Sequence, residues 1–218
     1  MNESNDDLVK AGVERLFDES EMLVLLEGSK AIAETSPRLS DAQIARIADR
    51  VADAVLRDFE HEIAPSKKEH WKKILTKLCY DLAVGVAASA LWGLMGSLAH
   101  VFAYLDSGDA ELEARKRRRE DALARLVARV PADAAPKYEY LLQAPWMAQS
   151  IIDEMARAVA ASGAIGEIEG QVAKSHGRLP SSNARTGAGW VGNRMAVDLF
   201  YALEHEAAEQ LGEPPIMS

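Results

Sequence analysis

From Leu82 to Ala99 the chain runs for 18 residues without a charged side chain. Extended to Leu105, the run reaches 24 residues and gains only His100. As one helix that length is about 36 Å, against the roughly 30 Å of a bilayer's hydrocarbon. A segment of this kind has two solutions: it dissolves in a membrane, or other helices cover it on all sides at the centre of a bundle. Length and the Lys/Arg-rich flanks favour the membrane, and the bundle centre stays open as the alternative.

The run is also patterned. Asp81, Gly85, Ser89, Gly93 and Ser97 recur at steps of four. On a continuous helix they share one face, and small side chains there let a second helix approach closely. Gly85, Ser89, Gly93 and Ser97 are therefore the expected helix-packing and interaction residues.

Charge is distributed around this segment. The chain carries a net charge of −9. Residues 1–65 hold −8, residues 66–130 hold +4 and residues 131–218 hold −5. These boundaries define three expected regions: an acidic helical pair, a basic-flanked apolar helix with a charged helix after it, and an acidic helical unit, all compatible with one domain. Lys67, Lys68, Lys72, Lys73 and Lys77 precede the run, and Arg115, Lys116, Arg117, Arg118 and Arg119 follow it. Five cations on each side give no orientation by the positive-inside rule. A single span and a re-entrant or surface-lying element, with both flanks on one anionic leaflet, both remain open. Lys67, Lys68, Lys72, Lys73, Arg115, Arg117 and Arg118 are the expected membrane-surface or anion contacts. The other reading of RKRRR is a solvated helix face balanced by Glu111, Glu113, Glu120 and Asp121. Nucleic acid is a poor partner, because phosphate repels both acidic ends.

The rest of the chain reads as helix. Abundant alanine, 6% aromatics and no long Val/Ile/Thr runs favour helix over sheet. Leu8, Val9, Val13, Leu16 and Phe17 start a helical pattern that reaches Thr35, with Gly28 as a weak point. Ser40 and Gln43 form a capping box before the stripe Ile44, Ile47, Val51, Val55 and Phe59. Asp109 can cap a charged helix with Glu111–Arg115 and Glu113–Arg117 pairs. Pro131 and Pro136 bracket a linker, and helices are expected over 138–143, 146–161, 164–176 and 193–211. The expected class is all-α: a bundle with a long central apolar helix, transmembrane or re-entrant, and amphipathic helices on either side.

Chemistry-bearing motifs are sparse. Gly187, Gly189 and Gly192 match GxGxxG, but no strand precedes them, so the dinucleotide context is missing and a loop feeding a helix is the better reading. Asp58–His61 and His205–Glu209 share helix faces, yet a carboxylate-bridged metal pair needs Glu-x-x-His on two helices. The single cysteine, Cys79, excludes an intramolecular disulfide and reads as a buried thiol. No Ser-centred elbow, HExxH or phosphate loop occurs. No catalytic residue, cofactor, metal or small-molecule substrate is expected. The start, MNESNDDLVK, has neither a basic nor an apolar segment, so no secretory signal is expected.

The ending GRLPSSNARTGAGWVGNRMAVDLFYALEHEAAEQLGEPP resembles the C-termini of small uncharacterised proteins of bacterial prophages and integrated elements. The resemblance covers about a sixth of the chain. It implies a mobile-element or phage-conflict setting and no chemistry. The expected function is a non-enzymatic, membrane-associated helical protein that self-associates or docks a protein partner, on the cytoplasmic side of a bacterial inner membrane. The alternative is a cytoplasmic, soluble all-α binding or inhibitor protein whose acidic faces meet a basic partner.

Overall fold

The computed structural model describes residues 19–35, 38–89, 91–92, 95, 117, 120–121, 123–142, 146–177 and 186–210. Among these every regular element is helical: α1 (Glu19–Thr35), α2 (Asp41–Asp58), a 3₁₀ turn (Pro65–Lys67), α3 (Lys68–Ala88), α4 (Ala135–Leu142), α5 (Trp146–Ser162), α6 (Gly166–His176) and α7 (Trp190–Gln210). Residues 123–127 add a further helical stretch. The all-α expectation is met. Two compact units form. The first takes its described residues from Leu39–Gly85 and Ile151–Ala202, the second from within Val13–Arg38, Val86–Ser150 and Leu203–Ser218.

In the first unit α2 follows its sequence closely. The Ser40 hydroxyl accepts the Gln43 amide at 3.3 Å, and Gln43 Oε1 accepts the Ser40 amide at 2.9 Å. This capping box satisfies two of the amides that a helix start leaves open. Ile44, Ile47, Val51, Val55 and Phe59 are all buried, joined by Ala48 and Ala52. Pro65 then opens the 3₁₀ turn, where its missing N–H costs nothing.

The long apolar helix does not continue as expected. α3 ends at Ala88, and Ser89 bonds to the backbone on both sides of that end. Its hydroxyl donates to the Val86 carbonyl at 2.8 Å and accepts the Leu91 amide at 3.2 Å. The Ser89 amide itself bonds back three residues, to Val86. A serine that engages nearby backbone in this way competes with the helical ladder. No helix among the described residues is long and apolar enough to cross a membrane. Of the apolar run, Leu82, Ala83, Val86, Leu91, Trp92 and Met95 are buried within the chain. α3 is one-sided: Trp71, Leu75, Cys79 and Leu82 are buried, while Glu69, His70, Lys73, Lys77 and Val84 are exposed. Residues 96–105 of the run, and most of the charged helix expected after Asp109, lie outside the described residues.

In the second unit, α1 packs on α4. Met22, Leu25 and Ile32 are its buried apolar side, and Gly28 sits among them. The weak point in the sequence is a notch. A Cβ at Gly28 would lie 2.6 Å from Tyr138 Cδ2 and 3.0 Å from Cζ, so only glycine admits this ring. Tyr138 is fully buried, and burial pushes its hydroxyl above the usual phenol range. Pro136, expected to bound a linker, lies in the first turn of α4, where a proline removes no helical hydrogen bond.

The remaining helices match the expected spans to within a few residues. α5 buries Met147, Ala148, Ile151, Ile152, Met155, Ala156 and Val159. It stops at Ser162, whose hydroxyl donates to the Val159 carbonyl at 2.6 Å and accepts the Ala164 amide at 3.2 Å. α6 ends on Gly177 at a φ of 74°, the left-handed cap position that glycine fills at least cost. α7 begins at Trp190, three residues earlier than the expected Asn193.

Candidate functional site

The basic segment before the apolar run is the first candidate. All five lysines lie beside carboxylates of their own unit. Lys67 pairs with Glu167, and Lys68 lies 3.6 Å from Glu60. Lys72 lies 3.2 Å from Asp49 and 2.9 Å from Asp53. Lys73 and Lys77 pair along the helix with Glu69 and Asp81, at 3.7 and 2.7 Å. The hydrogen bonds from Lys72 to Asp53 and then Asp49 hold its ammonium above the usual lysine range. The bond from Lys67 holds Glu167 below the usual carboxylate range. An open cleft of about 560 Å³ lies along α2 and α3. Lys72, Lys73 and Lys77 line it together with Asp49, Glu69 and Asp81, so its formal charge is zero. Such a wall offers no net field to an anionic surface. Arg117 is helical and exposed, while Arg115 and Arg118 lie outside the described residues.

The small-residue ladder is the second. Gly85 is buried on α3, whereas Ser89 has left the helix and is engaged with Val86 and Leu91. Ser89 therefore does not continue the α3 register on which Gly85 stands. Gly93 and Ser97 lie outside the described residues.

The glycine loop holds a surprise of chemistry. Its amides already face an anion, and the anion is Glu169 of α6. The Gly192 amide donates to Glu169 Oε1 at 2.7 Å. Burial raises the Glu169 pKa, and the amides of Gly192, Val191, Gly189 and Trp190 pull it back. A carboxylate at a helix N-terminus meets both the open amides and the positive end of the dipole. A Cβ at Gly189 would overlap the Glu169 carboxylate, and one at Gly192 would lie 3.2 Å from its Oε1. Gly189 and Gly192 thus leave space for a side chain twenty residues upstream, and the loop's anion site is internally filled. Upstream, the Ala188 amide donates to the buried Thr186 hydroxyl at 3.2 Å, and Gly187 turns at a φ of 68°. Sequence reasoning missed Glu169. Its signal is position: it stands four residues after Ile165 and three before Val172, at the edge of the apolar stripe of α6.

The same helix ends on His176. Its Nε2 lies 3.3 Å from Glu62 Oε1, and its ring stacks on Trp190 with centroids 4.9 Å apart. Asp58 and His61 do not come together. Asp58 pairs with Arg194 at 2.9 Å, and His61 is exposed beside Glu60. His205 and Glu209 approach to 3.9 Å. Among the described residues no three His, Cys, Asp or Glu side chains are placed to hold a metal ion. Cys79 is buried, and desolvation, helped by the charge of Asp198, pushes its thiol up to about 12.

A last feature has no counterpart in the sequence reading. Leu23 on α1 is 55% exposed and Tyr140 on α4 is 71% exposed. Lys137 Nζ donates to Ser20 Oγ at 2.7 Å. Leu23 lies three residues after Ser20, and Tyr140 three after Lys137, so both stand one turn from that bond on the same helix faces. Comparison with protein-family models, with curated proteins and with solved structures finds no match.

Proposed function

We propose that the chain is a non-enzymatic, all-helical docking protein that engages another protein through its acidic surface. The observation that carries this reading is the internal pairing of the basic segment. With Lys67, Lys68, Lys72, Lys73 and Lys77 each beside a carboxylate, the cations that would attract an anionic leaflet are already compensated. The chain's overall −9 then governs its long-range encounters. The membrane-associated form of this function has less support. Of the large apolar side chains in that run, Leu82, Val86, Leu91, Trp92 and Met95 are buried in the protein, and Val84 alone among the described ones is exposed. A mobile-element or phage-conflict setting, suggested by the C-terminal resemblance, fits an inhibitor or adaptor that works by occupying a partner's surface.

Two measurements on the full chain test the reading. In flotation with phosphatidylethanolamine–phosphatidylglycerol vesicles, the protein is expected to remain at the bottom of the gradient. Cross-linking in producing cells is expected to give a heterologous product whose yield falls as salt is raised, because screening shortens the reach of surface charge. Carbonate-resistant flotation, or the lack of any heterologous product, overturns the proposal.

A further inference from the structure

We infer that the docking face is the outward side of α1 and α4, and that its occupant is a basic, amphipathic protein segment. This rests on the docking function proposed above and names the partner's chemistry. Along α1 the exposed residues Ser20, Leu23, Glu27, Lys30 and Glu34 recur at alternating steps of three and four, one stripe of a helix. α4 lies alongside α1, fastened by the Tyr138 ring in the Gly28 notch and by the Lys137–Ser20 bond. Its exposed side carries Glu139 and Tyr140, with Asp133 just before the helix. Leu23 and Tyr140 supply apolar surface, and tyrosine is among the residues that dominate binding at interfaces. The same two helices and the residues just before α4 expose Glu27, Glu34, Asp133 and Glu139, against the cations Lys30 and Lys137. Two exposed apolar side chains on a surface of net negative charge fit a segment that presents leucine-like side chains flanked by lysine or arginine. The same charge selects among occupants. A second copy would bring the same negative surface and a net −9 of its own, and an anionic membrane or nucleic acid would be repelled.

The test uses the full chain and two synthetic helical peptides of alternating leucine and charge, one with lysine and one with glutamate in its place. Binding is followed by isothermal titration and by hydrogen exchange. The lysine peptide is expected to bind, to protect the amides of α1 and α4, and to weaken as salt rises. Joint replacement Leu23→Ser and Tyr140→Ser is expected to weaken it about tenfold or more, the scale of losing interface anchors. The pair Val84→Ser and Tyr201→Ser, which alters two further large exposed apolar residues among the described ones, should leave binding unchanged. Glu27→Lys with Glu139→Lys should weaken binding and flatten its salt dependence. Thermal melts confirm that each variant folds. If Asp41→Lys on α2 weakens binding while the Leu23/Tyr140 pair does not, docking stands and this face is overturned. If neither peptide binds, the docking function falls with it. Equal binding of the glutamate peptide overturns the charge argument, and a wild-type dimer abolished by Tyr140→Ser would assign the face to a second copy and overturn the basic partner.

Discussion

The tetrapeptide Val-Ala-Ala-Ser occurs twice, at 86–89 and at 159–162. Each copy ends a helix, and each does so in the same way. The serine hydroxyl donates to the valine carbonyl three residues back, at 2.8 Å for Ser89 and 2.6 Å for Ser162. It also accepts the amide two residues on, at 3.2 Å in both cases. What differs is the sequel. Ser162 is followed by Gly163 at a φ of 66° and by exposed Ala164. Ser89 is followed two residues on by Leu91, which is buried, and then by buried Trp92. One local device thus serves an exit to the surface and a turn within the core. Hydropathy reports where side chains go, and it is blind to whether the backbone stays helical on the way.

The position two residues after each serine should separate the copies most. Leu91→Ala removes a buried side chain and should cost about 2–5 kcal/mol in urea unfolding. At the matching position, Ala164→Lys alters an exposed residue and should stay within about 0.5 kcal/mol. Comparable losses at both sites would mean that the two exits do not differ in burial.

The α7 start shows the opposite design, a helix end closed by a distant side chain. Gly189→Ala, which sets a methyl on the Glu169 carboxylate, should cost about 1–3 kcal/mol. Glu169→Ala alone should cost about 0.5–2 kcal/mol through the lost cap. In the double variant the clash is gone, so the effects should fall short of additive by roughly 0.5–3 kcal/mol. Strict additivity would show that the glycine and the carboxylate do not share the site. The linkage has a defined sign. Burial raises the folded pKa of Glu169 above the ordinary 4.5. Its contribution is therefore fully present below the unfolded value and is lost as pH rises through the folded one. Glu169→Gln keeps an acceptor for Gly192 without the charge. Wild type should accordingly lose stability relative to Glu169→Gln as pH rises above the ordinary carboxylate value of 4.5.

These sites mark what the sequence made legible. α2 was readable whole, because cap, stripe and stop are all local: Ser40 and Gln43, then Ile44 to Phe59, then Pro65. The Gly189–Glu169 contact was not, since nothing in GAGWVG points to a partner twenty residues earlier. Gly28 was visible as a weakness and not as a notch, because Tyr138 is more than one hundred residues away. The lysines before the apolar run were counted correctly as a cluster. Their carboxylates on α2 and α6 could be matched only once the helices had packed. Ser89 is the instructive miss. The second copy of its tetrapeptide falls at the end of the expected 146–161 helix, while the first is hidden by the apolar residues that follow.

Gly163→Ala comes next in size. A non-glycine residue at a φ of 66° is strained by roughly 1–2 kcal/mol, although the space around Gly163 is open. Differential scanning calorimetry should therefore show a loss with no steric cause. An unchanged melting temperature would mean that the exit after Ser162 tolerates other backbone angles, and the serine alone would then define both ends.

The smallest effect probes that serine directly. Removing the hydroxyl by Ser89→Ala or Ser162→Ala deletes one hydrogen bond to a carbonyl and one from an amide. Each typically contributes about 0.5–1.5 kcal/mol net. Alanine is the better helix former and offsets part of the loss, by roughly 0.5 kcal/mol. These bonds are exposed or only part-buried, so the low end of that range applies, and the net change should be about 0.5 kcal/mol and nearly equal at the two sites. Stability alone is a poor readout at that scale, so amide exchange is the better one. The Leu91 and Ala164 amides, each donated to a serine hydroxyl, should exchange faster in the corresponding variant. The helices should not lengthen, because buried Leu91 and Trp92 hold the first exit and the left-handed Gly163 holds the second. Faster exchange at Ala164 with no change at Leu91 would break the parallel: core packing after Ser89 would then suffice to end α3, and the shared tetrapeptide would matter only where the chain leaves for solvent.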